Sequence, residues 1–328
     1  MTIIIDIQHD KESLILFAEY LKQLRTEKGL TQRGLCTVLN LADKDFASID
    51  SVTVSRWERG STEPHITKAI KVLRVLTQDL RPFLSMIPTR EQDDVISKLS
   101  YEKFESAVAE IRSASYVHTE TSPNDLIVEK TIDLQQDKNA LQNVKNFIQT
   151  SKSGYPGLIN LDFENLYRNK KLLLKLYINP NRNEFVGHNL AMLFNAQELA
   201  IELTTPHKTL PFYKAKGYSN KDPLAICSLS RFAANQQAFD RIHSDFVNYV
   251  ASHSNIHFYY HYLHNEILLD YMVEIGAEKV GFDTPDKHGK IKIGKETFRN
   301  CLLKINTENI LSRPEIIRLL KKEPKAEP

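Results

Sequence analysis

The chain has 328 residues, of which 41% are hydrophobic and 26% charged, and its formal net charge at pH 7 is +2. This composition is ordinary for a soluble folded protein, and the length favours two domains. The net charge is too small to indicate nucleic-acid binding by itself, so any basic surface must be local.

What the sequence lacks argues against several classes of protein. No window approaches eighteen uninterrupted apolar residues, so no transmembrane helix is expected. The first six residues have neither a basic start nor a long apolar run, which argues against a signal peptide. Cys36, Cys227 and Cys301 are too widely spaced for a compact thiolate metal site and indicate a reducing, cytoplasmic location.

Four short helices are predicted in the first domain, residues 1–80. Residues 14–27 place apolar side chains at intervals of three and four, and residues 31–39 form a second helix that follows a threonine cap. A third helix spans residues 50–59, and a fourth begins at Pro64. Four short helices around one small core are typical of a helix-turn-helix fold.

The third helix has the chemistry of a DNA-reading element. Asp50 caps its start and Gly60 ends it, while Val54 and Trp57 fall on one side. The other side presents small hydroxyl groups, a valine surface and an arginine, which suit base edges in the major groove. The alternative is a plain helical bundle in which Trp57 is only a core residue and the arginines are solvated.

The N-terminal sequence resembles the Cro/phage-repressor (XRE) family of helix-turn-helix DNA-binding domains over residues 14–78. The strings that carry this resemblance are Leu24-Arg25-Thr26-Glu27-Lys28-Gly29-Leu30-Thr31-Gln32, Val54-Ser55-Arg56-Trp57-Glu58-Arg59-Gly60 and Glu63-Pro64. The resemblance implies that this domain binds double-stranded DNA, with residues 50–59 as the recognition helix.

Position by position, the resemblance implies eight DNA-binding residues. Ser51, Val52 and Arg56 match positions that touch base edges, and Arg56 is the strongest candidate because a guanidinium bonds guanine O6 and N7 together. Gln32 matches a residue that holds a DNA phosphate. The other predicted DNA-binding residues are Arg33, Thr53, Ser55 and Arg59, of which the last three are assigned to phosphate.

Two features depart from the family pattern. Ser51 is shorter than the residue that usually stands at its position, so its reach is reduced. Residues 40–48 look like an insertion, which either lengthens the second helix or forms a wing near the DNA. Trp57 and Glu58, by contrast, resemble the packing and structural residues of the family.

Residues 81–124 are predicted to be a connector. Arg81-Pro82 and Ile87-Pro88 are expected to interrupt helix, because proline disfavours helical backbone in the preceding residue. Apolar spacing predicts a helix over residues 91–113, closed by a polar linker at 115–124. This helix is expected either to pack within the chain or to carry a homodimer contact, which would suit two domains on a pseudo-palindromic site.

Residues 125–328 are predicted to form an α/β domain around a largely central sheet. The predicted strands are residues 125–134, 171–178, 185–194, 223–229, 256–262, 277–282 and 298–305. The predicted helices are residues 138–150, 236–251 and 265–275. The fold class is therefore multidomain, with an all-α helix-turn-helix N-terminal domain and an α/β (α+β) C-terminal domain.

The order of these C-terminal elements is similar to the GNAT (acetyltransferase) fold, with residues 224–229 as the central strand. GNAT enzymes hold the pyrophosphate of acetyl-CoA on a glycine-rich turn at a helix start. Residues 230–237 stand in that place and contain no glycine, so bulky side chains would block close approach. The expectation is a degenerate, non-catalytic domain without catalytic residues or a cofactor, which senses a ligand, binds a partner or dimerises.

The histidines do not predict a metal site. Four of them lie close together in an aromatic stretch, namely His253, His257, His261 and His264. A strand there would separate His264 from the others, and no carboxylate or thiolate completes a ligand set, so half-buried imidazoles are expected. His188 either lines a pocket or is a satisfied core residue. Residues 321–328 are charged and proline-rich and are expected to be disordered.

Together these patterns predict a cytoplasmic, sequence-specific transcriptional regulator that binds double-stranded DNA as a homodimer and is not an enzyme. A small-molecule or protein effector is expected at the C-terminal domain, and no membrane contact is expected. Two alternatives are a GNAT-type acetyltransferase directed to DNA and an antitoxin-type repressor with an oversized second domain.

Overall fold

A computed structural model describes residues 16–89, 94–104, 126–130, 132–133, 138–151, 155–204, 210–263 and 265–321. These residues fall into two compact units. The helical unit combines the described part of residues 1–92 with Phe246–Asn255 and residues 308–321. The α/β unit combines the described part of Asp93–Asp245 with Ile256–Thr307.

The helical unit begins with five helices and one short 3-10 helix. The helices are residues 16–27 (α1), Gln32–Ala42 (α2), Ser51–Glu58 (α3), Ile66–Leu76 (α4) and Arg81–Met86 (α5). The 3-10 helix, Lys44–Phe46, lies between α2 and α3. The side chains of Thr31 and Asp50 accept backbone N–H bonds at the starts of α2 and α3, as the sequence predicts.

The core of these five helices is aromatic at its centre. Phe17 of α1 packs edge-on against Trp57 of α3, with ring centroids 6.0 Å apart, and lies 6.4 Å from Phe83 of α5. All three rings are buried. Because buried aromatic rings dominate the energetics of a small core, these contacts fix α3 and α5 against α1.

Of the two prolines near α5, Pro82 differs from the prediction and Pro88 agrees with it. Pro82 does not interrupt helix but stands in the first turn of α5, where its missing N–H is not needed and its fixed φ suits the helix. The helix ends at Met86, ahead of Ile87 and Pro88.

The α/β unit supplies the strands. Their bounds are Val128–Lys130 (β1), Leu173–Asn179 (β2), Glu184–Asn195 (β3), Leu224–Ala233 (β4), Ile256–Leu263 (β5), Glu278–Phe282 (β6), Ile291–Ile293 (β7), Glu296–Phe298 (β8) and Cys301–Asn306 (β9). The helices along the same stretch of chain are Val95–Phe104 (α6), Lys138–Ser151 (α7), Phe163–Arg168 (α8), Ala196–Glu202 (α9), Gln236–Ala251 (α10) and Glu266–Glu274 (α11).

Seven strands form one mixed sheet in the order β1-β2-β3-β4-β5-β9-β6. Strands β4 and β5 are parallel and joined through α10, whereas every other neighbouring pair is antiparallel. Strands β7 and β8 form a separate two-stranded hairpin. The predicted multidomain fold class, a helical N-terminal domain followed by an α/β domain, is confirmed.

Both faces of the sheet are covered. Strand β3 is buried along nearly its whole length, which explains its continuous apolar sequence. One face packs on α7 and α9, through residues that include Leu176, Leu190 and Met192. The other face packs on Phe239 and Ile242 of α10.

Two C-terminal helices, Thr307–Leu311 (α12) and Pro314–Lys321 (α13), are absent from the sequence prediction. Glu308 belongs to the helical unit and pairs with Arg74 of α4 at 2.8 Å, with side chains 7% and 5% exposed. Lys321 Nζ donates to the backbone oxygen of Ile87 at 2.5 Å. These helices therefore pack in the same unit as α4 and α5.

Other differences from the sequence prediction concern short elements. The single strand expected over residues 298–305 is split between β8 and β9, and β7, α8 and α9 were not predicted. The linker at 115–124, His264 and residues 322–328 lie outside the described residues, as do the first fifteen residues and most of the second half of the connector helix.

Candidate nucleic-acid interface

Helix α3 has one buried side and one exposed side. Val54 and Trp57 are buried, with 0% and 5% of their surface exposed. Asp50 Oδ1 accepts from the backbone N–H of Thr53 at 2.7 Å. Hydrogen bonds from the side chain and the backbone N–H of Thr53 hold the pKa of Asp50 below its usual value. Gly60 has a φ of 63°, the left-handed conformation that ends a helix.

The exposed side of α3 carries three of the eight predicted DNA-binding residues. Ser51 and Arg56 are exposed, and Val52 is 52% exposed, which is unusual for valine. Val52 and Arg56 are four residues apart and so share one side of the helix. Within the described residues, the Arg56 guanidinium makes no hydrogen bond or ion pair, so its donors face solvent.

The three other predicted residues in or just after this helix are half-buried or hydrogen-bonded to it. Thr53 and Ser55 are half-buried. Arg59 follows the last helical residue, is exposed, and donates from Nε to the backbone oxygen of Ser55 at 3.1 Å. This bond turns the guanidinium back along the helix.

Gln32 joins α2 to α3. Its side-chain amide donates to Glu58 Oε2 at 2.8 Å, and Arg25 donates to both oxygens of Glu58, at 2.5 and 3.0 Å. Arg25 also donates to the backbone oxygen of Leu30 at 2.6 Å. Arg33, next to Gln32, is exposed. The carboxylate of Glu58 thus connects three helices. The local sequence does not reveal this role of Arg25, because its partner Glu58 lies 33 residues away.

These partners stabilise the charged form of Glu58. Burial by itself would raise its pKa, but the hydrogen bonds from Arg25 and Gln32 and the charge of Arg25 outweigh burial, so the pKa lies below its usual value. The side chains of Glu58 and Arg25 are 4% and 12% exposed. This buried, fully hydrogen-bonded pair fixes the orientation of α3.

The predicted insertion at residues 40–48 both lengthens α2 and forms a compact turn. Phe46 and Ile49 are buried, so the segment is folded onto the helices. Lys71 of α4 lies 2.7 Å from Asp45 and 3.8 Å from Asp43. These contacts hold the chain immediately before α3.

Polar residues of the α/β unit are mostly tied to one another. His188 is fully buried beside Phe147, Phe185 and Phe232, and its Nε2 lies 2.8 Å from Ser230 Oγ. It is therefore a buried core histidine, held through Nε2. Within the described residues, no three His, Cys, Asp or Glu side chains come together as a metal-binding group.

The pairing of β4 with β5 ends before either strand does. Their register runs from Leu224 and Ile256 to Ser228 and His261, and no pairing follows within the described residues. Tyr259 Oη lies 3.0 Å from His261 Nδ1 close to this point. Burial raises the pKa of Tyr259, with Arg231 and Ser228 opposing the shift.

The start of α10 is capped by its own chain. Asn235 is 6% exposed, and its Oδ1 accepts from the backbone N–H of Ala238 at 2.8 Å. The first-turn N–H groups that would face an anion at this helix start are therefore partly occupied by Asn235.

Comparison with protein families places a helix-turn-helix match at residues 21–83. These residues include the whole of α2, α3 and α4 and all eight predicted DNA-binding residues. The resemblance found in the sequence is thus confirmed as a helix-turn-helix domain. No curated protein matches the chain.

Several solved structures are similar to part of the chain. A probable acetyltransferase from Staphylococcus epidermidis is 14% identical, with 56% of this chain and 99% of that chain covered and a TM-score of 0.31. Spermidine N-acetyltransferase from Vibrio cholerae, solved with CoA and spermine, is 10% identical, with 57% and 99% covered and a TM-score of 0.33. FeeM, an N-acyl amino acid synthase from uncultured soil microbes, is 10% identical, with 55% and 90% covered and a TM-score of 0.33.

These structures correct one prediction. The expectation that the chain is not an enzyme is wrong, because the three similar structures described above are those of enzymes. With identities of 10–14% and TM-scores near 0.3, they identify neither a substrate nor a reaction for this chain.

A search of the described residues finds no helix with the length and apolar character needed to span a bilayer. Residues 21–83 form a helix-turn-helix domain, and the chain continues into a mixed α/β unit.

Proposed function

We propose that the chain is a sequence-specific transcriptional regulator that inserts α3 into the major groove of double-stranded DNA. The observation that carries this proposal is the exposed side of α3, where Val52 and the unpaired Arg56 share one face while Val54 and Trp57 hold the helix to the core. A helix with a fixed inner side and a free mixed outer side can present side chains to base edges without reorganising.

Each predicted residue has a proposed contact. Arg56 reads a guanine, and Val52 contacts a thymine methyl group. Ser51 reaches only a close base edge because its side chain is short. The proposed phosphate contacts, which position the helix but carry no sequence information, are Gln32, Arg33, Thr53, Ser55 and Arg59.

The proposed regulator acts as a homodimer in the cytoplasm. One recognition helix of eight residues touches few base pairs, so two copies on a pseudo-palindromic site supply the specificity that one copy lacks. The three free, buried cysteines are compatible with a reducing compartment.

The test is selection of bound sites from a pool of random duplexes by the full chain. The expected result is one enriched site with two half-sites whose centres lie about 10 base pairs, or a multiple of that, apart. If no sequence is enriched, the chain does not bind DNA sequence-specifically. If the enriched site contains a single half-site, the proposed homodimer is wrong.

The α/β unit is proposed to couple a small-molecule or protein effector to DNA affinity. Such coupling requires the effector to bind the DNA-competent and incompetent states unequally. The measurement is the affinity of the full chain for the selected site with and without a metabolite extract. If no fraction of the extract changes the affinity for the selected site, the proposed coupling is wrong.

We propose acyl transfer by the α/β unit as a second candidate function. The observation that favours it is the end of the β4–β5 pairing at Ser228 and His261, where Tyr259 and His261 are hydrogen-bonded. A tyrosine and a histidine in contact are suited to general acid–base work. Calorimetric titration with acetyl-CoA, followed by an assay for free thiol, tests this function. Absence of binding would end the proposal, and Asn235→Gly is expected to strengthen binding by freeing the start of α10.

A further inference from the structure

A short segment of the α/β unit concentrates positive charge. Residues 286–299, here called the basic hairpin, contain β7 and β8 and the turn that precedes them. Its charged residues are five basic ones, Lys287, Lys290, Lys292, Lys295 and Arg299, and two acidic ones, Asp286 and Glu296. The segment thus has a formal net charge of +3, whereas the whole chain has only +2.

The basic hairpin has a built scaffold. Asp286 accepts from the backbone N–H of His288 at 2.8 Å and from Arg299 Nε at 2.5 Å. Its own backbone N–H donates to Thr297 at 2.8 Å. Gly289 lies so close to β8 that an added Cβ would stand 2.4 Å from the backbone carbon of Phe298. Only glycine fits there, so the turn is held against the strand.

The two faces of the basic hairpin differ. Ile291 pairs with Phe298, and both are buried at 2% exposed. Lys292 pairs with Thr297 on the opposite face, because side chains alternate along a strand. The lysines at 287, 290, 292 and 295 are all exposed and, within the described residues, make no hydrogen bond or ion pair. Their ammonium groups are therefore accessible to a partner molecule.

We propose that the basic hairpin binds the sugar-phosphate backbone of double-stranded DNA, as a second contact outside the helix-turn-helix domain. This inference rests on the proposed function for the identity of the partner. Lysine is a compact point charge without the fixed fork of arginine, so a lysine surface suits phosphate contact and not base reading.

Other polyanions fit the basic hairpin less well. A membrane-binding hairpin would expose apolar side chains for insertion, but Ile291 and Phe298 face inward. A single-stranded nucleic acid would need exposed aromatic rings for base stacking, and the sole aromatic carbocycle between residues 286 and 299 is the buried Phe298. The regular phosphates of a duplex require only the charge that the lysines supply.

The test compares two full-length triple variants that lose the same charge. One is Lys290→Gln, Lys292→Gln and Lys295→Gln in the basic hairpin. The control is Lys98→Gln, Lys170→Gln and Lys221→Gln, three exposed lysines spread over the same unit. Binding to a random-sequence duplex is measured by fluorescence anisotropy from about 50 to 200 mM salt.

The hairpin variant is expected to bind random duplex at least about tenfold more weakly at low salt. The slope of log affinity against log salt should become shallower by about 0.9 for each lysine in contact, and by up to about 2.7 in total. The control variant should match the unmodified chain. Equal behaviour of the two variants would overturn the proposal, as would a hairpin variant that loses binding to phosphatidylserine vesicles while keeping its DNA affinity.

This test separates the basic hairpin from the proposed function. Arg56→Ala is expected to change the preferred site while leaving the salt slope on random duplex intact. If Arg56→Ala changes no preference but the hairpin variant still loses slope, recognition by α3 fails and the hairpin contact stands. The reverse pattern supports α3 and overturns the hairpin contact.

Discussion

Helix α3 and the basic hairpin are both small elements held by buried side chains, yet their exposed surfaces differ in kind. The outer side of α3 mixes a hydroxyl, an apolar surface and an arginine, in Ser51, Val52 and Arg56. The exposed surface of the hairpin is mostly basic, with four lysines and Arg299. A mixed surface can distinguish base edges, whereas a uniformly positive one distinguishes nothing but charge. Specificity and general affinity are thus expected to reside in separate parts of the chain and to be separable by substitution.

The largest expected effect comes from Glu58→Ala. The substitution leaves the Arg25 guanidinium buried without its carboxylate, which lowers the free energy of unfolding of the helical unit by about 3–5 kcal/mol. Site preference should be lost, while binding of random duplex through the hairpin persists. Denaturant unfolding followed by the fluorescence of Trp57, the one tryptophan in the chain, measures the change.

Glu27→Ala is the matched control, because it removes an exposed glutamate of the same helical unit. It should leave the unfolding curve nearly unchanged. A Glu58→Ala chain within about 0.5 kcal/mol of the unmodified one would show that the buried pair does not hold α3.

The same carboxylate gives the helical unit an acid sensitivity. The pKa of Glu58 is lowered in the folded state. Its contribution to the free energy of unfolding is therefore complete above about pH 4.3, the pKa of glutamate in the unfolded chain, and is lost as the pH falls through the folded pKa. Unfolding free energy measured through Trp57 should fall over this acidic range. Glu58→Gln should start lower at neutral pH and fall less. Parallel pH curves for the two chains would exclude Glu58 as the source.

A smaller effect is expected at the start of α2. Thr31 Oγ1 accepts from the backbone N–H of Gly34 at 2.9 Å, and loss of such a cap lowers stability by about 1 kcal/mol. Thr31→Ala should therefore loosen the turn that carries Gln32 and weaken every DNA site alike, whereas Thr31→Ser should retain most of the stability. If Thr31→Ala changes the preferred bases, this region also affects base reading, which would contradict its assignment to positioning alone.

The sequence predicted α3 well because its signals are local. The cap at Asp50, the stop at Gly60 and the spacing of Val54 and Trp57 all lie within eleven residues. The network of Arg25, Gln32 and Glu58 depends on contacts between residues 26 and 33 positions apart, which no local pattern reveals.

The basic hairpin was missed for a different reason. Its strands have three residues each, and only Ile291 and Phe298 are deeply buried, so alternation is too short to separate from a loop. Gly289 and Asp286 build the turn through contacts with β8 that appear only after folding. The longer strands, by contrast, follow from continuous apolar runs such as β3.

The most direct test of recognition by α3 is a base-by-base comparison of the full chain with Arg56→Ala. Binding is measured on the selected site and on duplexes in which each base pair is changed in turn. Arg56→Ala is predicted to lose about 1–3 kcal/mol of discrimination at one base pair of each half-site and to keep the preferences elsewhere. Identical preferences at every base pair in the two chains would contradict the account.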